Sequence, residues 1–319
     1  MEELSYLGLP RCLRLANADV RLIVATAIGP RVLFYGRHDG RNMLGECPDA
    51  SVPTALGEFK PWAGHRLWVA PEAKPASYAP DNDPVHVERR GALAVTLRKA
   101  ADATGVEKSL AVALDEEGPG VTLRHRLVNR GPAPVELAPW ALTILRPGGQ
   151  VLLPLEAFRP HSEYLLPASS LVLWHYTDLS DPRWAFGPRF VRLRCDAARA
   201  APQKIGAAVR RGWAAYHEGG ELFVKSVALV EGAAYPDRGC NVETFTAGDF
   251  VELETLGPLA RLAPGEAVEH VERWELFDGV APERDDAAFE ASLAPRITSF
   301  EAPAARGPLT SGPRLRVEG

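Results

Sequence analysis

Short apolar runs, alternating with a period of two or continuously apolar, recur along this chain between glycine and proline punctuation and leave almost no room for helices. They fall at 11–15, 20–25, 31–35, 92–97, 106–114, 121–129, 135–145, 151–155, 171–174, 190–194, 204–209, 213–216, 222–229, 242–245, 251–256 and 267–277. About sixteen strands with hardly any 3.6-residue periodicity is an all-β pattern. The 28 prolines, spread along all 319 residues, strengthen it, because an interior proline removes a helical hydrogen bond and clashes with the turn before it. One sheet of so many strands would curl or split, so the expected fold is two large antiparallel sheets packed face to face. The segment 283–293, ERDDAAFEASL, has an acidic first turn and an alanine-rich body and predicts one short C-terminal helix. A single domain over 1–294 is expected, followed by a Pro/Gly-rich tail, 295–319, that is mobile or loosely packed.

Composition then removes whole classes of function. The chain is 46% apolar and 24% charged, as ordinary globular proteins are. Its net charge of −5, without blocks of like charge, argues against a nucleic-acid partner. There is no stretch of ~18 apolar residues and no apolar leader after the acidic start, so neither a membrane partner nor secretion is predicted, and the expected location is cytoplasmic. Cys12, Cys47, Cys195 and Cys240 are scattered without CxxC spacing, which predicts free thiols and no metal site. The phosphate-binding glycine loops, the HExxH zinc motif, the GxSxG elbow and the DxDxDG loop are all absent, and no cofactor is expected.

Candidate chemistry concentrates in four places. The segment 57–72, GEFKPWAGHRLWVAPE, combines Trp62, His65, Arg66, Trp68 and Glu72. Indole rings stack on the apolar face of a pyranose while arginine and carboxylate clamp its hydroxyls, so this composition suits a sugar site. A second aromatic cluster, LWHYTDLSDPRW, carries Arg183 beside Asp181 in a loop, where the two residues could also simply pair. Of only six lysines, Lys204 and Lys225 lie within apolar strands, where an ammonium is expensive to bury without an acidic partner. Finally, Glu243 projects from a strand just before a glycine turn, where partial burial would make it a base, while Glu252 and Glu254 share one face of the next strand and are expected to be solvated. His125 is in phase with Val121, Leu123 and Leu127, and so reads as a core histidine.

The succession VTLRHRLVNRGPAPVELAPWALTIL, then NVETFTAGDFVELETLGPLARLAPGEAVEHVERWEL, resembles the galactose mutarotase-like, or aldose 1-epimerase-like, superfamily. There a strand ending in an Asn-x-Gly turn precedes the mid-chain catalytic segment, and a later strand carries a catalytic glutamate about twenty residues before a Pro-Gly-Glu turn. Glu243, twenty-one residues before Pro264, matches that glutamate; Glu254, ten before it, does not. GHRLW resembles the stretch holding a sugar-binding arginine, which falls on Arg66. The resemblance covers about 10–277 and is closer to an uncharacterised bacterial branch than to true mutarotases. It implies a β-supersandwich and a small-molecule sugar as partner, bound by a monomer or homodimer.

One departure bears on mechanism. Where mutarotases carry a histidine acid this chain reads Ala138-Pro139-Trp140-Ala141-Leu142, so the acid must come from His65 or from a lysine, Lys204 or Lys225. The resulting expectation is acid–base isomerisation of a sugar, with Glu243 and His65 catalytic. Trp62, Arg66, Trp68, Glu72, Trp140, Arg183, Lys204 and Lys225 would bind the substrate. If the four cations Arg66, Arg183, Lys204 and Lys225 converge, the sugar should be anionic. The alternative is a carbohydrate-binding protein that has lost the catalytic acid; a third reading makes the aromatic clusters core or interface.

Overall fold

The computed structural model describes residues 1–281 and 285–297. Two large antiparallel sheets, of eleven and ten strands, account for most of the chain, with two short two-stranded ribbons between residues 46 and 63. The alternation read from sequence sets which side chains enter the space between the sheets. In Val121–Asn129, Val121, Leu123, His125 and Leu127 point inward and their neighbours outward, as period two demands. Leu13, Leu22, Val32 and Leu253 from the larger sheet meet Leu97, Leu110, Val112 and Trp274 from the smaller one in a shared core.

Asn129 explains how the chain passes from one sheet to the other. Its side-chain oxygen accepts from the Gly131 amide at 2.9 Å, and its amide donates to the carbonyls of Ala133 and Leu262, fixing the turn into Val135–Leu145. That eleven-residue strand lies centrally in the larger sheet, between His65–Ala70 and Phe250–Leu256. Beyond Phe250–Leu256 follow Val242–Ala247 and Gln203–Ala207.

Among the described residues the strands number twenty-five, above the sixteen expected. Most of the excess consists of pieces of two to six residues, several of them in the proline-rich region 46–70. His65–Ala70 is the consequential one, a buried central strand.

The terminal helix is Asp286–Leu293, and the Asp285 carboxylate caps it by accepting from the Ala288 amide at 2.8 Å. Phe289 and Leu293 pack on Leu152, Phe190, Trp213 and Leu222, on the outer face of the smaller sheet. Truncating Phe289 to alanine should therefore cost about 3–5 kcal/mol. A urea titration would show a lower midpoint at unchanged slope; a midpoint within error of wild type would mean that the helix adds nothing to the core. The helix forecast for 283–293 is thus observed from Asp286; residues 298–319, most of the forecast tail, lie outside the described residues.

All four cysteines are free. Among the described residues, no helix is long and apolar enough to cross a membrane.

Candidate functional site

Strand parity decides which predicted residues can meet. In His65–Ala70, Arg66 and Trp68 point to the outer face of the larger sheet, while adjacent His65 points into the space between the sheets. Register carries the outer set across the sheet: Arg66 pairs with Leu142, Leu142 with Glu254, Glu254 with Glu243, and Glu243 with Gly206. Trp68 likewise pairs with Trp140, and Lys204 with Phe245 on the same face. Arg66, Trp68, Trp140, Lys204, Glu243, Glu252 and Glu254 therefore share one surface.

At its centre the Lys204 ammonium lies 2.8 Å from Glu243 Oε2 and 3.0 Å from Glu254 Oε2. Burial works to lower the Lys204 pKa, but Glu254 and Glu243 more than offset it and hold the ammonium well above its usual range. Desolvation, reinforced by Glu254, pushes the Glu243 carboxyl well above the usual carboxylate range despite Lys204. Trp140 Nε1 donates to Glu254 Oε2 at 2.8 Å. Arg66 Nη2 donates to Glu252 Oε1 at 3.0 Å, with its guanidinium 4.6 Å above the Trp68 ring. Trp68 and Trp140 meet edge to face at 5.5 Å, and Tyr78 and Phe59 extend the aromatic floor.

The surface is roofed. Glu243 and Glu254 are 0% exposed, and Lys204 and Arg66 each 4%. Trp174 covers Lys204, its ring 4.8 Å from the ammonium, and Tyr176 packs on Phe245. Burial pushes the Tyr176 phenol up to about 12, with the carboxylates of Glu254, Glu72 and Glu243 adding to it. Glycine at 206 makes the roof possible, since a Cβ there would stand 2.5 Å from Cys240 Sγ and 3.2 Å from the Trp174 ring.

Five buried polar atoms of this surface lack a hydrogen-bond partner, Glu243 Oε1 and Oε2, Glu254 Oε1, Arg66 Nε and Arg66 Nη1, although Glu243 Oε2 does face the Lys204 ammonium. Buried polar groups are paired in the great majority of cases, and an unpaired one costs about 1–3 kcal/mol. Others are scattered over the molecule, on Arg21, Arg31, Arg37, Trp62, Asn82 and Arg192, but these five share one face beside two tryptophans.

Of the remaining predicted residues, Glu72 stays at the edge of this surface and the others lie elsewhere. Trp62 packs with Leu9, Ile23 and Leu33, away from Trp68. Glu72 is exposed and accepts from the Tyr78 hydroxyl at 2.5 Å. Arg183 is spent on Asp181, at 3.0 and 2.9 Å, and on the carbonyls of Arg199 and Ala201, so it staples its own loop. Lys225 and His65 face the inter-sheet core, which removes both as acid partners of Glu243. The four cations do not converge, and the argument for an anionic sugar loses its basis. Glu252 and Glu254, expected to be solvated, are buried in the site instead, because loops roof the face they share.

His65 belongs to a second polar cluster. Its Nε2 meets His125 Nε2 at 2.7 Å, its Nδ1 lies 2.9 Å from Thr143 Oγ1, and His125 Nδ1 donates to the His270 carbonyl. Lys225 Nζ donates to Thr143 Oγ1 and stands 2.8 Å from Glu272 Oε1, while Trp274 Nε1 donates to Glu272 Oε2. His65, His125 and Glu272 bring ligand-type atoms within 4.8 Å of one another and are the described residues that could hold a metal ion. Each of those atoms already has a protein partner, however, and the Lys225 ammonium already balances Glu272. The cluster is complete as a hydrogen-bonded bridge between the sheets.

A protein of Escherichia coli described as a candidate aldose 1-epimerase superposes with a TM-score of 0.53 at 15% identity, over 84% of this chain and 99% of its own. A galactose mutarotase-like protein from Lactobacillus casei gives 0.54 at 10% identity, over 83% of this chain and all of its own. The chain has the galactose mutarotase-like fold. A TPR-domain containing protein from Parabacteroides distasonis, of which 49% is matched, shares this mutarotase-like architecture over 93% of the present chain, with a TM-score of 0.57 and 15% identity. No protein-family profile and no curated protein matches the sequence.

Proposed function

We propose that the protein binds a neutral aldose on the outer face of the larger sheet and interconverts its anomers by acid–base ring opening, with Glu243 as a catalytic group. The carrying observation is the set of unpartnered atoms on Glu243, Glu254 and Arg66, buried beside Trp68 and Trp140. Sugar hydroxyls both donate and accept, so one ring can satisfy carboxylate oxygens and guanidinium nitrogens together while its apolar face rests on indole. The mutarotase-like fold of the neighbours supports the same reading.

Charge selects a neutral sugar. Arg66 is balanced by Glu252, and Lys204 faces two carboxylates, which leaves no spare cation for a carboxylate or phosphate on the ligand. Because the site is roofed, a sugar reaches Glu243 only when Trp174 and Tyr176 move aside.

A thermal-shift screen against neutral, acidic and phosphorylated monosaccharides tests the substrate class. A ligand at a hundred times its Kd adds about 2.7 kcal/mol to stability, so a neutral aldose should raise Tm clearly. Larger shifts with uronates or sugar phosphates would contradict the neutral class, and no shift with any sugar at millimolar concentration would contradict sugar binding itself. Binding without anomer exchange would favour a sugar-recognition protein that has lost the chemistry.

A further inference from the structure

We infer that Glu254 is the second catalytic group, so that Glu243 and Glu254 work as a carboxylic acid and a carboxylate sharing one proton, with Lys204 as the positioning residue that holds them together. The inference rests on the sugar-isomerase reading above and supplies the acid that the Ala138–Leu142 segment lacks.

Geometry carries it. The two glutamates are directly opposite on adjacent strands and point to the same face. One oxygen of each lies on the Lys204 ammonium, and each other oxygen, Glu243 Oε1 and Glu254 Oε1, is buried without a partner. Trp140 stands in the segment where the family histidine is expected. Its indole N–H is no acid, but it donates to Glu254 Oε2 and so holds that carboxyl in place beside Glu243.

Electrostatics agrees. Two carboxylates and one ammonium sealed from solvent would leave an uncompensated negative charge, and one shared proton removes it. Lys204, held far above neutrality by its two partners, is a poor proton donor at physiological pH.

The chemistry needs the two groups side by side, because the anomeric hydroxyl and the ring oxygen are bonded to the same carbon. The carboxylate takes the hydroxyl proton while the acid protonates the ring oxygen. The bond between the anomeric carbon and the ring oxygen breaks and a carbonyl forms; rotation and reclosure on the opposite face return each proton. No redox partner or cofactor enters the balance.

The test is anomer exchange by proton NMR between pH 4.5 and 9, using an aldose that raises Tm, for wild type, Glu254→Gln, Glu254→Asp and Glu243→Gln. Groups facing the pair are Lys204, Glu252 and Arg66 on the sheet, Asp237 and Cys240 from the preceding turn, and Tyr176 from the roof. Glu254→Gln should lower kcat about 10²–10⁴-fold while keeping the ligand-induced Tm shift, and it should remove one limb of a bell-shaped pH profile. Glu254→Asp should restore part of the rate. If wild type exchanges anomers and Glu243→Gln does not, but Glu254→Gln stays within about threefold of wild type or keeps both limbs, the donor lies elsewhere and this inference alone fails. If wild type binds the sugar without exchange, the isomerase reading fails and this inference with it.

Discussion

Replacing Lys225 with methionine is expected to destabilise the protein by about 3–5 kcal/mol, because the change strands the Glu272 carboxylate in the core. Lys225 and Glu272 are both fully buried between the sheets, 2.8 Å apart. Burial alone would raise the Glu272 pKa, but the Lys225 ammonium holds it well below the usual carboxylate range. The remaining donors on Glu272, Thr255 and Trp274, are neutral and cannot replace an ammonium. Tm should drop by roughly 10 °C. Adding Glu272→Gln should recover much of that loss, since the two changes are coupled through one contact. A single-variant loss below about 1 kcal/mol would show that this network is not the tie between the sheets that its geometry describes.

The same core should make the protein sensitive to acid. Burial lowers the pKa of His65, His125 and His270, that of His270 to about 3, so the folded state keeps all three neutral. The unfolded chain protonates them near pH 6.5. It therefore binds more protons below that pH, and stability falls as the pH drops, by about 2 kcal/mol at pH 5 for His270. Glu272, also depressed, adds stability above its unfolded value near 4.5 that is lost below it. Glu243 and Glu252 have raised values, so their contribution runs the other way, present below about pH 4.5 and lost as the pH rises, which makes the fall between pH 7 and 5 shallower. Comparison with His270→Gln isolates one histidine. Between pH 7 and 5, wild type should lose about 2 kcal/mol more than this variant, measured by denaturant titration at each pH. Parallel profiles would contradict the buried, neutral assignment.

The residues that were legible in the sequence were those whose neighbours fix a parity. His125 declared itself by its phase with Val121, Leu123 and Leu127. Lys204 stood out because a lysine among apolar residues needs a carboxylate, and the structure supplies two. His65 and Arg66 were less legible: adjacent residues share a site easily in a loop but not in a strand, where they face opposite ways. Without a strand assigned to 65–70, that constraint does not show in the sequence. Glu252 and Glu254 were correctly placed on one face, but whether a face is solvated depends on what roofs it. Trp174 and Tyr176 come from a loop some seventy residues earlier, a relation that no local pattern carries.

The central claim is that the outer face of the larger sheet is a sugar site served by Glu243. Magnetisation-exchange NMR on an equilibrium mixture of a neutral aldose, with wild type and Glu243→Gln side by side, tests it most directly. The account predicts exchange well above the buffer rate with wild type, and a loss of about 10²–10⁴-fold in the variant while the sugar-induced Tm shift remains. Exchange that is unchanged by Glu243→Gln, or no sugar effect on Tm in either protein, would contradict it.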